Sequence, residues 1–287
     1  MQREKSFFRE EDYYMDFTEV NNLIEEVENT LEETKKFDKE DDLLVGVDLG
    51  TAYIVLVVLD KDKKPIACEM EFAQVLKDGL VVDYIGACEI VNKLKDKLEK
   101  RLNIELNKAA IAVPPGTEEG DCETHKYVVE SSGLEVTTIL DEPTAANAVL
   151  NIDNGVIVDI GGGTTGLSII RDGKVIHTVD EATGGTHLSL VISGSYKVTF
   201  EEAEKLKKDK KRQGEIFNIV RPVIEKIGSI VRRNISNYDV ENIYLVGGTC
   251  CLEGIENVIE KETKIPTHKP LNPFLVTPLG IAMNCEA

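Results

Sequence analysis

The sequence predicts an α/β protein built as two similar halves with a cleft between them. Three observations predict it. The first is the run Val156-Ile157-Val158-Asp159-Ile160-Gly161-Gly162-Gly163-Thr164-Thr165-Gly166, in which an all-apolar stretch ends in one acidic residue followed by glycines and threonines. A continuous apolar run reads as a strand buried on both faces. Consecutive glycines let bare backbone N–H groups approach an anion. The second is the same pattern 111 positions earlier, Leu44-Val45-Gly46-Val47-Asp48-Leu49-Gly50-Thr51. The third is the alternation of strand-like and helix-like stretches that comes after each copy.

Gly161, Gly163 and Gly166 also satisfy G-x-G-x-x-G, the dinucleotide fingerprint, which needs a helix directly after the glycines. The chain instead continues with apolar Leu167 to Ile170, an Asp172-Gly173 turn and Lys174-Val175-Ile176, a strand–turn–strand. The two Asp-Gly-Thr turns are therefore expected to face each other as phosphate loops, with Asp48 and Asp159 bracketing one magnesium ion. A glycine-rich hairpin without a ligand is the plainer reading of either turn alone.

The 287 residues are 42% apolar, enough for a large core and two subdomains. The expected division is 1–42, 43–150 and 151–287. The net charge of −19 argues against nucleic acid and anionic membranes as partners. Residues 1–42 carry 6 basic and 15 acidic side chains. The basic runs Lys93 to Arg101 and Lys207 to Arg212 are expected to be solvated helix faces. Cysteines 68, 88, 122, 250, 251 and 285 show no metal-type spacing and read as reduced thiols. With no membrane-length apolar run and no signal peptide, the expectation is a soluble, cytoplasmic protein.

Along the chain, Phe17, Val20, Leu23, Ile24, Val27 and Leu31 form an amphipathic helical stripe. It either packs on the body or docks in a partner's groove; an acidic polar face disfavours a membrane. Lys35 to Asp42 reads as a linker. Phe72 to Tyr84 is a short connection with one Asp-Gly turn. Helices are expected at Ile85 to Asn103 and at Glu118 to Ser132, the latter ended by Gly133. Strands are expected at Ala109 to Val113 and Val136 to Leu140. Glu142-Pro143-Thr144-Ala145-Ala146 opens a helix with proline near its start. In the second half, helices are expected after Gly184-Gly185, over Thr199 to Lys211 from the Thr199/Glu202 capping box, and over Gly214 to Asn237. A strand spans Val240 to Val246, a short helix comes after Leu252, and the terminal helix begins at Pro278.

Five stretches together resemble the ATPase core shared by actin, bacterial actin homologues and Hsp70 chaperones. They are Asp48 to Thr51, Glu142 to Ala146, Asp159 to Thr164, Leu245-Val246-Gly247-Gly248-Thr249 and Pro278-Leu279-Gly280-Ile281-Ala282. Within that superfamily the chain is most similar to the EutJ family of ethanolamine-utilisation operons. Asp180 to Gly185, Leu140 to Ala145 and the absence of large insertions support this. The resemblance implies a duplicated actin-like (ribonuclease H-like) fold, compact with few insertions, with the N-terminal amphipathic helix as an addition.

It also implies ATP binding with magnesium. Asp48 and Asp159 would hold the metal's waters, and Gly50, Thr51, Gly161, Gly162, Gly163 and Thr164 would contact phosphates. Glu142 would position or activate the attacking water. Gly247, Gly248 and Thr249 would lie against the adenosine. Glu204 and Lys207 would flank the ribose and adenine, unless they are simply a solvent-exposed helix face. No residue matches the phosphate-binding lysine of Hsp70, and Ala52 stands where chaperones carry a second hydroxyl, so the expected ATPase is slow.

Three functions are consistent with this. One is a nucleotide-switched chaperone or assembly factor for ethanolamine-utilisation enzymes or microcompartment shell proteins, its N-terminal helix a targeting peptide to the compartment. The others are a small-molecule kinase and a nucleotide-binding scaffold or filament former without turnover.

Overall fold

The computed structural model describes residues 17–40 and 42–286. After helix α1 (Thr18–Asn29), the first half runs β1 (Leu44–Leu49), β2 (Tyr53–Leu59), β3 (Pro65–Phe72), β4 (Leu76–Lys77), β5 (Leu80–Val81), α2 (Tyr84–Leu102), β6 (Lys108–Val113), α3 (Glu119–Glu130), β7 (Glu135–Asp141) and α4 (Glu142–Leu150). The second runs β8 (Gly155–Ile160), β9 (Thr165–Arg171), β10 (Lys174–Glu181), α5 (Gly185–Tyr196), α6 (Phe200–Lys208), α7 (Gln213–Ile235), β11 (Ile243–Val246), α8 (Ile255–Thr263), β12 (Thr267–His268) and α9 (Val276–Met283).

The repeat read from the sequence is a repeat of topology. The two large sheets have the orders β3-β2-β1-β6-β7 and β10-β9-β8-β11-β12. In each, three antiparallel strands are followed by two added in parallel. Parallel strands need a crossover, which α2, α3 and the α5-to-α8 helices supply. The Asp172-Gly173 turn has both φ angles positive (51° and 68°), the backbone of a tight two-residue hairpin turn. A hairpin therefore succeeds the Gly161–Thr164 loop, where a dinucleotide fold would have a helix.

Among the described residues three apolar clusters form the core. One lies between the first sheet and α2 and α3, centred on Val47, Leu56, Leu94 and Ile111. Another lies between the second sheet and α5 to α8, centred on Val158, Leu188, Ile224 and Ile259. The third joins the halves, with α4 and α9 crossing between the two sheets. That crossing is close because the residues are small: Ala145 and Ala146 of α4 meet Gly280 of α9, and Ala282 of α9 lies against Gly46 of β1.

Some expectations change. The terminal helix starts at Val276, two residues before Pro278, because the short 3-10 turn Pro273–Leu275 feeds directly into it. The 72–84 connection holds the β4–β5 ribbon, turned at Asp78-Gly79 with φ of 49° and 78°. Strand β12 is only two residues long, too short for a period to show. The Lys93 to Arg101 face is not purely solvated. Arg101 donates to the carbonyls of Cys68 (2.9 Å), Thr30 (2.7 Å) and Glu33 (2.8 Å) and pairs with Glu69.

The apolar stripe of α1 packs on the body. Val20, Ile24 and Val27 are buried in the central cluster, with Phe17, Leu23 and Leu31 packed beside them. A helix of 12 residues is marginal alone; burying each such aliphatic side chain contributes roughly 1.5–3 kcal/mol. Residues 1–16, part of the expected N-terminal segment, lie outside the described residues.

Candidate functional site

Asp48 stands near the end of β1 and Asp159 near the end of β8, the matching strand of the other half. Both open onto one cavity of about 400 Å³ between the halves, within the usual range for small-molecule sites. Its lining includes Asp48, Gly50, Thr51, Glu142, Asp159, Gly161, Gly162, Gly163, Thr164, Glu204, Lys207, Gly247, Gly248 and Thr249. The structure thus gathers every sequence-predicted site residue around a single space.

The two turns touch across that space. A Cβ on Gly162 would meet Thr51 Cβ at 3.2 Å, and one on Gly163 would lie 3.0 Å from Thr51 Oγ1 and 2.9 Å from Asp78 N. Glycine is required there because the opposing backbone comes so near. The second loop is closed by Gly161 N donating to Thr164 O at 3.0 Å. The Gly161 carbonyl accepts from Gly185 N at 3.0 Å and from Thr249 Oγ1 at 2.7 Å. The Thr249 hydroxyl therefore joins the Gly247–Thr249 loop to the phosphate-loop candidate. Gly247, at φ 90°, packs on Asp159, and a Cβ there would overlap its carboxylate.

Acid crowds one end of the cavity. Burial and the Asp159 charge push Asp48 up to about 7. Burial also raises Asp159, to about 6, although Thr277 Oγ1 donates to its Oδ2 at 2.7 Å and favours the charged form. Glu142 is raised well above the usual carboxylate range by burial, then by the charges of Asp159, Asp48, Asp180 and Asp141. Asp180, pushed to about 6 chiefly by burial, is partly offset by a hydrogen bond from Thr164. Burial is the largest cause of each shift and opposed like charges add to it; a cation between them would relieve the second part. Among the described residues no three His, Cys, Asp or Glu side chains form a direct metal-binding set.

Helix α4 supplies Glu142 at its first residue. Asp141 caps that helix by accepting from Thr144 N at 2.9 Å, which fixes the direction of the glutamate's turn.

Elsewhere in the cavity lining, Glu204 and Lys207 of α6 are not a solvated face. Glu204 is buried, and Lys207 Nζ donates to its Oε1 at 2.6 Å, to Ser189 Oγ at 2.8 Å and to Gly185 O at 3.2 Å. Ser189 also donates to Glu204. Burial lowers Lys207, while Lys207 and Ser189 together outweigh burial and hold Glu204 below its ordinary value. The next lysine, Lys208, crosses to the first half, donating to Tyr53 Oη at 3.0 Å and lying 4.6 Å from its ring centroid. Phe274 meets the same ring edge-on at 5.5 Å.

Sequence reasoning missed Thr277, Asp180, Ser189, Tyr53 and Lys208. Thr277 had a usable signal, standing just before the Pro278-Leu279-Gly280 stretch. Asp180 had none: strand register brings it in, since it pairs with Gly166, which pairs with Asp159, so the three share one sheet face.

Comparison with known proteins shows the family and the fold. The profile of the family described as type IV pilus assembly protein PilM matches residues 124–284. The chain is 42% identical to the ethanolamine utilization protein EutJ of Escherichia coli (strain K12), over 85% of this chain and 86% of that protein. The crystal structure of EutJ from Carboxydothermus hydrogenoformans superposes with a TM-score of 0.87 at 49% identity, covering 92% of this chain and 98% of the other. MreB5 of Spiroplasma citri bound to ADP superposes with a TM-score of 0.66 at 21% identity, covering 84% and 95%, a likeness of the actin-like fold. The chain matches the family described as type IV pilus assembly protein PilM and belongs to the EutJ family of ethanolamine utilization proteins.

Proposed function

We propose that the cleft binds magnesium-ATP and that its occupancy switches the chain between states in which it serves as a chaperone or assembly factor for ethanolamine-utilisation enzymes or microcompartment shell proteins. One observation carries the nucleotide reading: two glycine turns of a duplicated fold meet across one cavity, each preceded by a carboxylate. The ADP held by the fold neighbour MreB5 supports it, and the relatives' name motivates the pathway. Among the described residues no helix is long and apolar enough to cross a membrane, and we infer a cytoplasmic protein that associates with the compartment.

In this reading Gly50, Thr51, Gly161, Gly162, Gly163 and Thr164 present N–H and hydroxyl donors to the phosphates. Asp48 and Asp159 would hold magnesium, and the ion would supply charge neutralisation at the phosphates. Glu142, at the mouth of α4, orients the attacking water and accepts its proton. Burial, and then the charges of Asp159 and Asp48, hold its proton affinity well above that of an ordinary glutamate, the direction in which a catalytic base is tuned. Phosphoryl transfer depends mainly on positioning and charge. Ala52 packs towards Gly162 and offers no hydroxyl, so turnover is slow: losing one donor costs about 10²–10³ in rate.

Targeting by the N-terminal helix would have to use residues 1–16 or a released α1, because the α1 stripe is buried. Thermal unfolding with and without magnesium-ATP tests the nucleotide reading. Ligand at 100 times its Kd adds about 2.7 kcal/mol to the wild type, and Asp159→Ala loses most of that gain. A wild type with no shift at saturating ligand would overturn the reading.

A further inference from the structure

Helix α1 and the segment after it are fastened to both halves of the molecule. On the first half, the Thr30 carbonyl accepts from Cys68 N at 3.2 Å and from Arg101 Nη2 at 2.7 Å. The Glu33 carbonyl accepts from Arg101 at 2.8 Å, and Lys35 N donates to Ile66 O at 2.9 Å. The chain from 30 to 35 thus runs beside β3, the edge strand of its sheet. On the second half, Phe17 meets the Tyr244 ring edge-on at 6.4 Å. Asn21 Oδ1 accepts from Leu271 N at 2.8 Å, and the Glu28 carboxylate accepts from Asn272 Nδ2.

The loop that receives α1 also builds the cleft. Asn272 and Phe274 line the cavity. Asn272 Oδ1 accepts from Phe274 N at 3.2 Å. A Cβ on Gly248 would meet the Phe274 ring at 3.2 Å, and Gly247 N donates to Pro273 O at 3.0 Å. A single side chain, Asn272, therefore links α1 to the wall of the proposed nucleotide site.

We propose that α1 is a strap across the two halves, and that its docking is positively coupled to nucleotide occupancy of the cleft. The proposal rests on the nucleotide reading given above. Its physical basis is that a ligand gripped from both walls and a helix docked on both halves favour the same relative arrangement of those halves. Whichever is present first has already met the cost of fixing that arrangement, so the second binds more tightly, and the effect is reciprocal. The apolar contacts of Val20, Ile24 and Val27 anchor the helix, while the Asn21 and Glu28 bonds transmit its position to the 271–274 loop. Glu28 is exposed and Asn21 only half-buried, so both can be changed without opening the core.

The test uses the full chain with magnesium-ADP, which avoids turnover. Calorimetric titration of the Asn21→Ala/Glu28→Ala variant is expected to give a Kd raised roughly fivefold or more over the wild type, the low end of usual coupling. In the wild type, hydrogen exchange of the α1 amides is expected to slow when magnesium-ADP binds, and to respond less in the variant. Should the double variant fold poorly, the wild-type exchange measurement and a Glu28→Gln titration carry the same test. Wild-type Kd in the variant, or α1 exchange indifferent to a bound nucleotide, would overturn the coupling alone. A wild type that binds no magnesium-ADP would overturn the nucleotide reading and the coupling together.

Discussion

Gly280 of α9 lies so close to Ala145 of α4 that a Cβ on it would overlap the Ala145 carbonyl oxygen. The two helices between the sheets cross backbone to backbone, and α4 starts with Glu142 while α9 carries Thr277, the partner of Asp159. The contact therefore sets the spacing of groups drawn from both halves of the cleft.

Gly280→Ala is expected to destabilise the protein despite alanine's better helix propensity, which is worth about 1 kcal/mol. The obstacle is main chain, which cannot swing aside like a side chain. The loss should reach or exceed the upper end of the roughly 1–3 kcal/mol usual for overpacking. Urea unfolding measures it, and an unchanged midpoint would contradict the crossing.

The carboxylate cluster predicts a pH dependence of the ligand-free protein. Asp48 at about 7, with Asp159 and Asp180 at about 6, all lie above the ordinary aspartate value of 3.8. The folded state then binds protons more tightly than the unfolded one. Their contribution to stability is greatest below pH 3.8, falls as pH rises towards 7, and levels off above that. Asp48→Asn is therefore expected to lose less stability than wild type between pH 5.5 and 8, by on the order of 1 kcal/mol. Thermal melts across that range measure it; parallel curves would count against the cluster, and magnesium is expected to narrow the gap at the upper end.

Lys207→Met leaves Glu204 buried beside Ser189 without its closest cation. Removing one member of a buried pair costs roughly 3–5 kcal/mol; Lys208, 3.5 Å away, softens this. The Glu204→Gln/Lys207→Met double variant should recover part of the loss. Chemical denaturation of the single and double variants measures the coupling, and additive losses would mean that the pair acts independently.

The duplicated α/β plan is legible in the residues alone, because Asp48 and Asp159 each end an apolar run and enter a glycine turn, and a local pattern at a fixed offset survives without coordinates. So are the helix starts at Glu142 and Phe200, whose caps lie within three residues. The fate of side chains whose neighbours are distant in the chain needed the folded molecule. Glu204 and Lys207 read as a wet helix face until α5 covers them with Ser189 and Gly185. The α1 stripe could equally have suited a partner until β3 and α9 buried it. Asp180 joins the acidic end only because strand register sets it across Gly166 from Asp159. Periodicity reveals which face of an element is apolar, while burial, pairing and proton affinity depend on which other element meets that face.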